Sequence, residues 1–166
     1  MAGSASKGPA NKKVLVVRFD RTALAGFVQV PEGLTGGQVE LLTPEGNLVL
    51  VPFSETKVVC FVRDLDATQA WTPHRTFVTR PKTAGLWVRM RFRDGDGMEG
   101  IVANNLMLVE EAGFSAIPPD PTAQLQKVFV PREALASVEV LGVIGSSARR
   151  RPAKPVDKDK QIRMFE

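Results

Sequence analysis

The chain contains no tyrosine, one cysteine and one histidine among its 166 residues. A single cysteine excludes a disulfide within the chain and any zinc or iron–sulfur site built from several cysteines. A single histidine excludes a two-histidine metal site. Long apolar runs are also missing. Stretches such as Val14 to Val17 and Val58 to Val62 are far too short to span a bilayer as a helix. The stretch from Met1 to Lys13 holds no apolar segment of the kind that directs secretion, so a cytoplasmic protein without membrane contact is expected. No phosphate-binding glycine loop, dinucleotide fingerprint or nucleophile elbow occurs. No cofactor, no metal and no enzymatic activity are therefore expected.

What is present is enough for a packed core, since 43% of the residues are hydrophobic. The net charge is +4 and the pI near 9.5, a balance that invites a nucleic-acid partner. The charge is unevenly placed. Residues 1–13 contribute +3, residues 146–166 contribute +4, and the stretch between them carries −3. The basic pI thus belongs to the chain ends. Residues 1–12, small and lysine-bearing, are read as a flexible lead, and residues 146–166, rich in charge and proline, as a disordered basic tail.

The body between them contains an internal repeat. Arg18-Phe19, Gly26, Val51-Pro52 and Val59 to Val62 in the first half match Arg91-Phe92, Gly100, Val130-Pro131 and Val138 to Leu141 in the second. Val51 to Val59 and Val130 to Val138 have the same spacing, and Phe19 to Gly26 differs from Phe92 to Gly100 by one residue. Each half reads as short strands: Val14 to Phe19, Gln38 to Thr43, Asn47 to Val51 and Val58 to Val62, then Leu86 to Phe92, Phe114 to Ile117, Lys127 to Val130 and Val138 to Leu141. Pro44-Glu45-Gly46 and Asp94-Gly95 supply turn chemistry. Gly26 and Gly100 sit where a bent strand has no room for a Cβ, and Pro131 to Leu135 has the length of one helical turn. The pattern predicts a mainly β protein of two tandem small SH3-like or Sm-like barrels packed together, the first over residues 13–63 and the second over 86–145. Residues 64–85 form the connector, with Trp71 or Phe77 covering one barrel.

These features resemble a bacterial family of uncharacterised proteins built from two such halves. The likeness rests on Val62 to Asp66, Val88 to Gly95, Gly113-Phe114 with Pro118 to Pro121, and Val128 to Leu141. It implies a fold and no settled activity. The last of these segments also resembles the second Sm motif in the spacing of Val128, Val130, Leu135 and Val138. Pro131-Arg132 stands where Sm proteins carry Arg-Gly, and Gly113 or Phe114 falls near the place of their RNA-contacting Asn. Arg89 and Arg93 have the arginine spacing of a PilZ domain, but the downstream Asp/Asn-x-Ser-x-x-Gly is missing, which excludes cyclic-dinucleotide binding by that route.

Candidate chemistry is sparse. His74 has no serine or cysteine nucleophile motif beside it and reads as a loop histidine. Cys60, inside an apolar strand, reads as a small hydrophobe. Asp94 and Asp96 lack the later ligands of a calcium loop and read as a polar turn, and Asp64 and Asp66 form no catalytic pair. In Val88 to Arg93 a period of two places Val88, Met90 and Phe92 on one face and Arg89, Arg91 and Arg93 on the other. That stripe suits either phosphate backbones or carboxylates across the sheet. In the tail, Arg149, Arg150, Arg151 and Lys154 suit sequence-independent contact with DNA or RNA. Residues 161–165, with Gln161, Ile162, Met164 and Phe165, resemble the peptide by which bacterial proteins bind the DNA sliding clamp.

The sequence therefore points first to a non-enzymatic binding or adaptor protein with a protein partner. The alternative is a nucleic-acid-associated protein that uses the Arg stripe and the tail and is recruited by the sliding clamp.

Overall fold

A computed structural model describes residues 11–66, 71–72, 75–105, 111–119 and 125–145. The first half builds β1 (Asn11–Arg18), β2 (Ala23–Gln29), β3 (Gln38–Leu42), β4 (Leu48–Pro52) and β5 (Thr56–Val62), with a 3-10 turn at Glu32–Leu34. The second builds β6 (Gly85–Phe92), β7 (Gly97–Val102), β8 (Gly113–Ile117), β9 (Leu125–Pro131) and β10 (Leu135–Ile144), with a 3-10 turn at Arg132–Ala134. The strands follow the β-branched and aromatic runs, and the turns follow Gly, Asp and Pro. In the β3–β4 hairpin the Gly46 N–H donates to the Thr43 carbonyl at 2.9 Å. In the β6–β7 hairpin Gly95 takes a φ of +95°, which a residue without Cβ adopts freely. No helix among the described residues is long and apolar enough to cross a membrane.

All ten strands lie in one antiparallel sheet of order β10-β6-β7-β8-β9-β5-β1-β2-β3-β4. The repeat is visible in that order. The first half runs β5-β1-β2-β3-β4 and the second β10-β6-β7-β8-β9, so each half places its fifth strand beside its first. The expectation of two closed barrels is corrected here, because the sheet is not closed. β4 pairs with β3 alone and β10 with β6 alone among the named strands. The physical reason lies in β5. Its edge opposite β1 carries β9 from the other half, with Val59 opposite Phe129, Cys60 opposite Val128 and Phe61 opposite Lys127.

β5 has this place because both of its faces are apolar from Val58 to Val62. All seven of its residues are buried. Val58, Cys60 and Val62 join Leu15, Val88, Met90, Phe92, Val128 and Val130 in one core. Val59 and Phe61 join Val14, Val16, Val39, Leu41, Val51 and Phe129 in the other. β1 divides in the same way, with Leu15 in the first of these cores and Val14 and Val16 in the second. Phe129 of the second half thus completes the first half's core, where it packs on Phe53 with ring centroids 5.9 Å apart. The halves share their hydrophobic burial, the dominant favourable term in folding.

The bend expected at Gly26 is imposed by a close approach. A Cβ there would lie 2.5 Å from the Leu42 carbonyl oxygen and 2.8 Å from Leu41 Cδ1. β2 meets β3 through the single register pair Phe27–Leu42, so the strand turns away almost at once. Substituting Gly26→Val will therefore destabilise the fold by about 2 kcal/mol through overpacking. Gly36→Ala, with no atom within 4 Å of the added Cβ, will be close to neutral. Urea unfolding of the two variants beside the wild type measures the difference, and equal midpoints would contradict the packing argument.

Candidate functional site

A cavity of about 610 Å³ opens where the two halves meet. The β1–β2 hairpin supplies Val17, Arg18, Phe19 and Arg21, β5 supplies Lys57, the connector supplies Trp71, and the β6–β7 turn supplies Asp94 and Asp96. Lys57 is the centre of the wall. Its residue is 5% exposed, a rare position for an ammonium group. It donates to Asp94 Oδ2 at 2.6 Å and also to Asp96. Its Nζ lies 4.7 Å from the Trp71 ring, 5.4 Å from Phe92 and 5.9 Å from Phe19. Two carboxylates on one side and three aromatic faces around it replace the water that burial removes.

The turn that presents the carboxylates is built locally. Phe92 N–H donates to the Asp96 carbonyl at 2.8 Å, and Asp96 N–H donates to Asp94 Oδ1 at 3.1 Å. Burial pushes the Asp94 carboxyl up, but hydrogen bonds from the Lys57 ammonium and the Asp96 N–H outweigh it and leave the group below its ordinary value. Asp94 and Asp96 are thus turn residues that pin the second half to a strand of the first. In the β1–β2 hairpin, Asp20 accepts from the Thr22 hydroxyl and, at 2.9 Å, from its N–H, which lowers the Asp20 carboxyl too.

Two donors at this cavity find no acceptor among the described residues: Trp71 Nε1 and Arg18 Nε, both buried at the atom. The outer nitrogen of Arg18 is paired, at 3.2 Å, with Glu55. Trp71 is fixed by an edge-to-face contact with Phe92, with centroids 5.8 Å apart and planes at 90°. The connector residue expected to cover a barrel therefore lies on the second half's core and also lines the cavity. Phe77 packs edge-on against Trp87.

The Arg stripe lies as the alternation predicts, with Arg89, Arg91 and Arg93 exposed and Val88, Met90 and Phe92 buried on the other face. Arg89 stands opposite Glu99 on β7 and Glu139 on β10, with charged atoms 3.9 and 3.5 Å apart. Glu99 is itself buried and accepts from the Phe77 N–H at 2.9 Å. Arg93 lies 4.1 Å over the Phe19 ring and donates to the Ser54 carbonyl, so it bridges the halves. Arg91 faces Gly97 and Ser137 across the sheet. Two of the three arginines are thus engaged within the fold. Cys60 is fully buried, and burial pushes its thiol up to about 12. His74, Arg149, Arg150, Arg151, Lys154, Gln161, Ile162, Met164 and Phe165 lie outside the described residues. Lys57 escaped the sequence reading, although a lone lysine in an otherwise apolar strand was its signal.

The cluster makes a test of its own. Removing both carboxylates, as in Asp94→Ala with Asp96→Ala, leaves a buried ammonium uncompensated and will cost about 3 kcal/mol, whereas Lys57→Met will cost less. Chemical denaturation ranks the two, and the reverse order would refute this account. The lowered Asp94 carboxyl also fixes a sign. Its contribution is full above the ordinary value of 3.8 and is lost as the pH falls through the lower folded value.

Searches of curated proteins and of solved structures return no match. A family model described as a family of unknown function (DUF6982) matches residues 10–142, the stretch that holds the repeat, the seam and nearly all of the sheet, and the chain belongs to that family.

Proposed function

We propose that the chain is a non-enzymatic cytoplasmic binding module whose seam cavity takes an extended segment of a protein partner. The observation that carries this reading is the pair of buried donors, Trp71 Nε1 and Arg18 Nε, without acceptors among the described residues at the wall of a cavity. A buried donor left unpaired is costly, and a peptide offers a carbonyl acceptor at every residue. Phe19 and Trp71 give an apolar floor, and charges of both signs at the rim supply orientation. Each half is read as an opened small barrel of the Sm-like or SH3-like kind, supported by the repeated strand order. Selection of a displayed random-peptide library on the full chain tests the module. Enriched peptides are expected to bind the wild type and to lose at least about tenfold in affinity for Trp71→Phe, which keeps an aromatic side chain and removes the N–H donor. No enrichment, or equal binding by the variant, would sink the reading.

A second reading is kept for the tail, because residues 146–166 carry +4 while the body is acidic. In it, Arg149, Arg150, Arg151 and Lys154, together with Arg91 of the stripe, contact nucleic-acid backbones, and residues 161–165 engage the sliding clamp. Retention on DNA or RNA at low salt is then expected, falling steeply as salt rises and disappearing when residues 146–166 are deleted. Flow-through at low salt ends that reading.

A further inference from the structure

The two halves are joined by an interface that each half carries only in part. At the internal junction, the fifth strand of the first half (β5) receives the fourth strand of the second (β9). The chain also presents the reciprocal pair, with no strand on their outer edges among the described residues: β4, the fourth strand of the first half, and β10, the fifth strand of the second. We infer that β10 of one copy adds to β4 of a second copy, head to tail, in the register of the internal β5–β9 junction.

The correspondence can be made residue by residue. Val59 stands opposite Val16 on β1 and Phe61 opposite Val14, while Val138 stands opposite Met90 on β6 and Val140 opposite Val88. Val138 and Val140 are thus the counterparts of Val59 and Phe61. The same offset makes Leu50 the counterpart of Phe129 and Leu48 that of Lys127. At the internal junction Val59 meets Phe129 and Phe61 meets Lys127. Carried over to the outer edges, Val138 meets Leu50 and Val140 meets Leu48.

All four residues are among the seven large hydrophobics exposed in the described part of the chain. Val59 and Phe129 are 0% and 1% exposed. Their counterparts Val138 and Leu50 are 39% and 50% exposed, with Val140 at 56% and Leu48 at 64%. Phe129 leaves its own half to close the neighbouring core. Leu50 points out of its own half in the same way, with Val49 and Val51 turned inward. It is placed to cover Val138 and Val140 as Phe129 covers Val59. β4 carries no charged residue, and the acid on β10, Glu139, is paired with Arg89. β4 thus has none of the charges that keep exposed strands apart, and β10 has only this one.

Such a contact is heterologous. Each copy that joins leaves a free β4 at one end and a free β10 at the other, so assembly continues past the dimer into a ring or a filament. An isologous β4–β4 or β10–β10 pairing would stop at two.

Sedimentation velocity on the full chain over a concentration series tests this independently of the seam cavity. The wild type is expected to form species larger than a dimer. Leu50→Lys blocks β4 and Val140→Lys blocks β10, and each alone is expected to be monomeric. Their equimolar mixture is expected to give a 1:1 heterodimer, because the intact β10 of one meets the intact β4 of the other. Both sites are exposed, so melting curves should match the wild type, and Leu48→Lys provides a second β4 block should Leu50→Lys misfold. A wild type that stays monomeric at every concentration overturns the inference. So does a single variant that keeps the wild-type assembly, or a mixture that stays monomeric.

Discussion

The fold depends on one strand being apolar on both faces. A half-buried strand alternates, but β5 has no face to give to water, and its seven residues are all buried. This dictates that something must cover its second side, and β9 does so. Once β9 is in place, Phe129 enters the first half's core while Cys60 and Val62 enter the second's. Neither half can bury its apolar surface without the other. The open ladder follows, because the strand edge that would have closed a barrel is already used.

The seam cavity inherits its position from the same junction. Lys57 lies on β5 one residue from the strand's start, where the two cores give way to the hairpins of both halves. Its ammonium is held by carboxylates from the second half and aromatic rings from both, a set of contacts that only the assembled chain can offer. Arg93 crosses the seam in the other direction, from β6–β7 to Phe19 and Ser54. Polar contacts here set the relative placement of two halves that apolar burial has already brought together.

Much of this was legible in the chain. The strand positions followed from β-branched runs and their turn residues, the inward face of β6 from strict alternation, and the repeat from the matching intervals between Val51 and Val59 and between Val130 and Val138. The β5–β9 pairing was not legible, because it joins strands more than sixty residues apart and nothing local encodes register between them. Without it the repeat read as two closed barrels. Lys57 was hidden for a related reason: its partners at Asp94 and Asp96 are distant in sequence, and the turn they form explained them without it. The outward Arg stripe was correct in its facing, but its carboxylates at Glu99 and Glu139 emerge only once β7 and β10 flank β6.

The single thiol has a consequence of its own. Cys60 stands at the middle of β5, opposite Val128, in the pair that joins the halves. Its side chain meets solvent when that core parts and is sealed when it closes. The chain therefore carries its own chemical clock, in which the rate of thiol labelling reads how often the two halves come open.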